Sequence, residues 1–192
     1  MVVASRNEVG RVPERAVESS ASAVEWAAIV GGALAAIGLS IILFTLGSGL
    51  GLAVARPWSF SAPSPTTFGV AAAIGLIVTQ WLASALGGYL TGRLRTKWVG
   101  IRTDEIFFRD TAHGFLAWAL ATVLMAALFS VLGTATVAAT SGGADVTVTA
   151  EAAEQARKAA ASFSLFTSVS FLIGAFIASV AGALGGLHRD ED

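Results

Sequence analysis

The chain has 192 residues, of which 55% are hydrophobic and only 13% charged, with a formal net charge of −1 and no cysteine. Soluble domains carry roughly 25% charged residues, so this composition excludes an ordinary water-exposed exterior. The absence of cysteine excludes a disulfide, a thiolate metal site and a thiol nucleophile, and the near-neutral charge argues against nucleic acid as a partner.

The charged residues are clustered and leave four uncharged windows, at 26–55, 57–92, 111–144 and 159–188. Each window exceeds the roughly 20 residues that a helix needs to cross the apolar part of a bilayer. The pattern predicts an all-α integral membrane protein whose four transmembrane helices form two hairpins. We expect a membrane domain over residues 23–188, with spans at roughly 26–54, 68–93, 106–134 and 160–187.

Lysine and arginine are concentrated in the N-terminal tail, the connection over 93–110 and the C-terminus. Short cytoplasmic segments carry an excess of these residues, so both termini are predicted to be cytoplasmic. Residues 1–22 then form a polar cytoplasmic tail, and residues 189–192 form a short acidic C-terminus.

The first helix is expected to begin near Ser22, because Ser22 and Glu25 fit a capping box. Its second half contains TLGSGLGLA (45–53), whose alternating glycines resemble a phosphate-binding loop. A dinucleotide fingerprint needs a further glycine at position 52 and an acidic residue about 20 positions later. Position 52 is Leu and the next acidic residue is Asp104, so these glycines are interpreted as packing residues inside a span.

The second helix carries Gln80, the one large polar side chain at the middle of a predicted span. It fits either contact with a substrate or an interhelical hydrogen bond worth about 1 kcal/mol, and the hydrogen bond is favoured. A basic cluster follows this helix, predicted to mark the cytoplasmic side or to contact anionic headgroups: Arg93, Arg95, Lys97 and Arg102.

The third helix is expected to begin near Thr103, whose side chain can cap it. His113 lies near its cytoplasmic start, with Asp110 three residues earlier on the same face. This arrangement fits a pH-sensitive site or, more simply, an interfacial histidine bonded to its neighbour. The segment AEAAEQARKAAA (150–161), in which Glu154 is placed to pair with Lys158, predicts either a short surface helix or a solvated extension of the fourth helix, and the extension is favoured.

Small residues recur every four positions on one face of three of the four helices. Lipid chains are as apolar as leucine, so membrane helices associate through close backbone approach, which small residues permit. The predicted packing positions are Gly32, Ala36, Gly47, Gly51, Gly87, Gly88, Gly92, Gly174, Ala178, Gly182 and Gly186.

No Asp, Glu, Lys or Arg lies within the four uncharged windows, although such residues usually mark ion pathways and proton relays. We therefore expect no enzyme activity, no cofactor and no metal site. The favoured hypothesis is a structural or accessory component of a homo-oligomer or larger membrane complex. The alternative is a channel or carrier for a small neutral or amphipathic solute, with Gln80 and small polar residues lining its path.

Three segments carry a resemblance: WAAIVGGALAA (26–36) followed by LGSGLGL (46–52), GGYLTGR (87–93) and AHGFLAWAL (112–120). Together they resemble a group of bacterial, mainly proteobacterial, four-span membrane proteins, some of them labelled PhnA-like or YrzE-like. The resemblance covers residues 26–187 and implies a multi-pass protein of the bacterial inner membrane. It assigns no functional residue, and phosphonate chemistry is not inferred from the label.

Overall fold

The computed structural model describes residues 23–54, 65–97, 102–140 and 149–191. These residues form four α-helices: α1 (Trp26–Val54), α2 (Pro65–Leu94), α3 (Thr103–Thr140) and α4 (Ala150–Glu191). All four are long and apolar enough to cross a bilayer. The predicted class, an all-helical membrane protein with four spans, is confirmed.

Two of the predicted helix boundaries are confirmed and one is wrong. Helix α3 begins at Thr103, and α4 is one continuous helix from Ala150, so the segment 150–161 extends the span as expected. Helix α1 begins at Trp26, later than the predicted capping box requires. The Glu25 carboxylate instead accepts hydrogen bonds from the N–H and hydroxyl of Thr96, at 2.9 and 3.1 Å. Ser22 lies outside the described residues.

The C-terminal end of α4 also differs from the expectation. The helix continues through Arg189 to Glu191, beyond the predicted end of the fourth span near residue 187. In the solvated extension, Glu154 lies 3.6 Å from Lys158. It also accepts two hydrogen bonds of 2.8 Å from Arg157.

The four helices pack as a rhombus. Helices α2 and α3 each contact the three others, whereas the described parts of α1 and α4 do not touch. The most extensive interface joins α2 to α4, which belong to different hairpins. The two hairpins are therefore held together chiefly by a contact between helices that are not consecutive in the chain.

Burial divides the bundle into two parts, here called the closed half and the open half. The closed half comprises α1 to Ala36, α2 from Ala83, α3 to Ala121 and α4 from Ser170, and it contains the buried residues. In the open half, which is the remainder of each helix, Gly47, Gly49, Gly69 and Gly75 have no atom of another helix near the position of a Cβ.

Side-chain size explains this division. In the closed half the facing residues are mainly glycine, alanine and serine, which let backbones meet. In the open half the residues that face the interior include Phe44, Phe129, Phe163 and Phe166. These rings do not fit between helices that are as close as glycine allows, so the four helices lie farther apart here and leave a cavity between them.

Candidate functional site

Small residues bring the backbones of α2 and α4 into direct contact in the closed half. A Cβ at Gly88 would collide with the carbonyl oxygen of Ala178, and a Cβ at Gly92 with that of Gly182. Helix α3 contacts α4 at the same level, since a Cβ at Gly114 would also collide with Ala178. Only glycine fits at these crossings.

Most of the predicted packing residues meet in the closed half. Gly32, Ala36 and Gly87 form the α1–α2 contact. Gly88, Gly92, Gly174, Ala178, Gly182 and Gly186 contribute to the interfaces of α4. Gly47, in contrast, has nothing within 4 Å of a Cβ, so the packing role expected of it is absent from the described chain. Gly51 is half-buried near the end of α1.

A buried ion pair lies in the closed half, where the C-terminal ends of α2 and α4 meet the N-terminal part of α3. Arg95 and Asp110 are each 2% exposed, and Arg95 Nε donates to Asp110 Oδ1 at 2.6 Å. Arg189 of α4 lies on the other carboxylate oxygen, with Nη2 3.6 Å from Oδ2. Gly186 leaves the space that Asp110 occupies, because a Cβ there would collide with the carboxylate. One carboxylate thus links α2, α3 and α4.

The guanidinium of Arg95 is desolvated by this arrangement. Burial lowers its pKa from the usual value, while the charge of Asp110 acts in the opposite direction. Arginine is effectively always protonated in proteins, and the Asp110 carboxylate supplies its counter-charge here. The group is therefore a fixed positive charge that the Asp110 carboxylate balances.

His113, predicted to bond its neighbour Asp110, has different partners. Its ring is 2% exposed, and Nε2 accepts a 2.9 Å hydrogen bond from the backbone N–H of Glu25. Nδ1 lies 2.6 Å from the carbonyl oxygen of Arg109, to which it donates. The imidazole therefore ties the start of α1 to α3, and the expectation of a bond to Asp110 is wrong.

The four residues of the predicted basic cluster are in unlike environments. Arg95 is buried against Asp110, which removes it from any headgroup contact, so that expectation is wrong for Arg95. Lys97 donates to the carbonyl oxygen of Asp190 at 3.0 Å. Arg102 is exposed and lies 3.5 Å from Asp104, and Arg93 is half-buried at the end of α2. Within this basic cluster, Arg95 therefore contributes to the packing of the bundle interior.

The open half contains a cavity of about 730 Å³. All four helices line it, and the top of the closed half forms its floor around Ala83, Ala121 and Ser170. Its walls are mainly apolar, and none of the described lining residues carries a charge. Pockets of about 300–1,000 Å³ with apolar walls and a few polar groups are typical sites for small molecules.

Three polar side chains that line the cavity, those of Gln80, Ser84 and Trp118, also pack against the backbone of Gly174. An ideal Cβ at Gly174 would lie 2.9 Å from Gln80 Nε2, 3.0 Å from Ser84 Oγ and 3.1 Å from Trp118 Nε1. We call Gln80, Ser84 and Trp118 the polar floor. The indole N–H of Trp118 is buried and finds no hydrogen-bond partner among the described residues. The polar floor occupies the space that a side chain at position 174 would need, so only glycine fits there.

Local packing fixes the polar floor in position. The Trp118 ring lies 5.6 Å from the Phe115 ring and makes an edge-to-face contact with Phe171 at 6.3 Å. The Ser84 hydroxyl donates to the carbonyl oxygen of Gln80 at 2.7 Å, as hydroxyls in helices often do. The lone pairs of Ser84 therefore remain available to accept a hydrogen bond.

Sequence reasoning singled out Gln80 but not Ser84 or Trp118. Trp118 was contained in the segment AHGFLAWAL without a role of its own, and Ser84 was one of many small residues. A signal was present, since Gln80 and Ser84 are four residues apart and share a helix face. No sequence pattern places Trp118 opposite that face.

Four apolar spans, a closed half and an interior cavity define this chain as a multi-pass helical membrane protein. Comparisons with models of protein families, with curated proteins and with solved structures find no match to it. The resemblance to the bacterial four-span group stays a prediction from its motifs.

Proposed function

We propose that this multi-pass membrane protein binds a small neutral or amphipathic molecule within the bilayer, in the cavity of its open half. The observation that carries the proposal is the combination of a cavity of about 730 Å³, uncharged and mainly apolar walls and a few polar side chains in its lining, among them Gln80 and Thr122. Because lipid surrounds such a protein, the molecules able to reach this cavity include those dissolved in the membrane. The proposed role is binding or carriage, not catalysis.

Close packing in the closed half favours a binding protein or carrier over an open channel. Below the polar floor, backbone contacts at Gly88, Gly92 and Gly114 bring helices α2, α3 and α4 against one another. The ion pair of Arg95 with Asp110 lies beyond them. Carriage across the membrane requires the closed half to separate, and these contacts are the ones that would break.

Photo-cross-linking tests the proposal. The protein in phospholipid nanodiscs is exposed to a neutral diazirine-labelled alkyl probe, and cross-linked positions are mapped by mass spectrometry. Ala73 lines the cavity and Ala72 does not, so Ala73→Trp fills the cavity and Ala72→Trp is its matched control. We expect cross-links near Trp118 and Ser170 that Ala73→Trp abolishes and Ala72→Trp retains.

An even distribution of cross-links over lipid-facing positions such as Leu34 and Leu94, unchanged by Ala73→Trp, would contradict a binding cavity. Both leucines are more than half exposed on the outside of the closed half. They therefore report ordinary contact with lipid.

A second candidate function is that of an accessory subunit or homo-oligomer, which we propose on a separate observation. In the open half, Gly47, Gly49, Gly69 and Gly75 have nothing within 4 Å of a Cβ position. Small residues that contact none of the four described helices allow a further helix to approach closely. Native mass spectrometry of the protein extracted from its own membranes tests this role, which a strictly monomeric species with no co-purifying protein would refute.

A further inference from the structure

We propose that Gly174 determines the size specificity of the cavity, because it sets how far the polar floor lies from the open half and therefore the longest apolar chain that fits. This inference rests on the proposed binding function and adds the residue that limits the size of the ligand. Gly174 itself does not line the cavity. It acts through Gln80, so it is a positioning residue for a side chain that a ligand would touch.

The polar floor lies directly against the backbone of α4 at Gly174, which is buried. The position of a Cβ there is 2.9 Å from Gln80 Nε2, 3.0 Å from Ser84 Oγ and 3.1 Å from Trp118 Nε1. All three distances are shorter than ordinary van der Waals contact with a carbon atom. The same three side chains line the cavity, so each has α4 on one side and the cavity on the other.

A methyl group at position 174 would displace Gln80 before the other two side chains. Its contact is the shortest of the three, and Nε2 is the end of a flexible side chain. The Trp118 ring, in contrast, packs against two phenylalanine rings. The Ser84 hydroxyl is bonded to the carbonyl oxygen of Gln80 at 2.7 Å. Because the backbone of α4 blocks the opposite direction, the Gln80 carboxamide would move into the cavity.

The depth of the cavity makes this displacement a limit on the length of a ligand. Along α3 the lining residues run from Trp118 to Phe129, a distance of about 16 Å at about 1.5 Å per residue. One leaflet of the bilayer core, half of about 30 Å, has a similar depth. A long alkyl chain needs the whole of this depth, whereas a short chain still fits when the floor advances.

Two diazirine-labelled alkyl probes that differ only in length, octyl and hexadecyl, measure this limit in phospholipid nanodiscs. Cross-linking of the cavity is compared for the unaltered protein, Gly174→Ala and Gly174→Ala/Gln80→Ala. We expect Gly174→Ala to lower the ratio of hexadecyl to octyl labelling about tenfold. The double variant lacks the displaced amide, so we expect it to restore the ratio.

Gly92→Ala is the matched control for a loss of stability. A Cβ at Gly92 would also collide with α4, but its nearest atoms belong to Gly182 and Gly186, and Gly92 does not line the cavity. Gly92→Ala should lower the unfolding temperature and leave the labelling ratio unchanged. The ratio is therefore a readout that a purely structural role of Gly174 would not alter.

A second pair of variants serves if Gly174→Ala does not fold. In the Gln80→Ala background, Gly174→Leu places a side chain that projects past the floor, whereas Gly174→Ala only fills the space that the amide vacates. We expect the labelling ratio to be lower for Gly174→Leu/Gln80→Ala than for Gly174→Ala/Gln80→Ala.

Two kinds of result would overturn this inference, and they have different consequences. If Gly174→Ala leaves the labelling ratio unchanged, or if Gln80→Ala does not restore it, the size limit assigned to Gly174 is wrong while the binding cavity stands. If neither probe labels the cavity of the unaltered protein, the proposed function fails as well.

Discussion

Arg95 and Asp110 form a buried ion pair, with Arg95 Nε 2.6 Å from Asp110 Oδ1, across the connection between α2 and α3. A second cation, Arg189 of α4, lies near the other carboxylate oxygen of Asp110. The pair lies in the closed half, beyond the tightly packed glycines. Asp110 therefore links the first hairpin, through Arg95, to both helices of the second hairpin.

Removing that carboxylate should destabilise the protein more than removing either cation. Breaking a buried pair by deleting one partner costs about 3–5 kcal/mol, because the other charge remains without compensation. Asp110→Leu leaves the buried Arg95 without its carboxylate, whereas Arg95→Leu leaves Asp110 with Arg189 nearby, so we expect Asp110→Leu to lower the unfolding temperature further than Arg95→Leu. Thermal unfolding in detergent, followed by circular dichroism, measures both.

The double variant Arg95→Leu/Asp110→Leu should regain much of the stability that Asp110→Leu loses, because it removes a charge that Asp110→Leu leaves buried. Arg102→Leu is the control, since its side chain is 89% exposed and surface pairs contribute little. Equal unfolding temperatures for Asp110→Leu and Arg102→Leu would show that the pair does not hold the bundle together.

His113 should protect the backbone amide of Glu25 from hydrogen exchange. That N–H donates to His113 Nε2 at 2.9 Å, and an amide exchanges faster once its hydrogen bond is lost. His113→Phe keeps a ring of similar shape but removes the acceptor, so we expect about tenfold faster exchange at Glu25. Exchange followed by mass spectrometry of the N-terminal peptide measures this.

The second histidine provides the control for that measurement. His188 is exposed and its partner is the hydroxyl of Tyr89, at 3.3 Å. His188→Phe should leave exchange at Glu25 unchanged. The role assigned to His113 fails if both variants behave alike.

Two glycines of α2 should respond to alanine with opposite signs. A Cβ at Gly92 would collide with the carbonyl oxygen of Gly182, so Gly92→Ala should destabilise the protein by about 1–3 kcal/mol. Gly75 has nothing within 4 Å, and Gly75→Ala should stabilise it by about 0.5–1 kcal/mol through helix propensity. The same thermal assay compares them, and stabilisation by Gly92→Ala would contradict the close α2–α4 contact.

Single cysteines should reveal which end of the bundle is cytoplasmic. The natural chain has no cysteine, so Arg102→Cys and Glu151→Cys each introduce one exposed thiol. Arg102 precedes α3 and Glu151 lies at the start of α4, at opposite ends of the bundle. With the predicted orientation, a membrane-impermeant maleimide labels Glu151→Cys in intact cells and Arg102→Cys only after permeabilisation. The reverse pattern would invert the topology.

Helix-forming and span-forming signals lie within short segments, so the sequence predicted them well. Uncharged windows set the four spans, and Thr103 and the segment 150–161 marked helix features that the structure bears out. The predicted capping box was wrong at Glu25, whose carboxylate binds Thr96, 71 positions away. A capping rule considers only neighbours in sequence and cannot anticipate such a competitor.

The candidate site was predictable only in part. Gln80 stood out because a large polar side chain in the middle of a span is unusual. Trp118 did not, because only the fold places its indole N–H beside Gly174 together with Gln80 and Ser84 of another helix. Likewise His113 was placed with Asp110 by helical spacing, yet its ring bonds to Glu25 in another helix.

By itself the sequence determined that this chain is a membrane protein of four apolar helices, since charge and hydrophobicity act residue by residue. It also supplied faces of small residues, because the helical period fixes which side chains share a face. Only the tertiary structure decided which of those faces meet. Gly47 and Gly92 look alike in sequence, but Gly92 lies against α4 while Gly47 faces open space. Close packing depends on the shape of both partners, and phenylalanines of the open half keep the helices apart there.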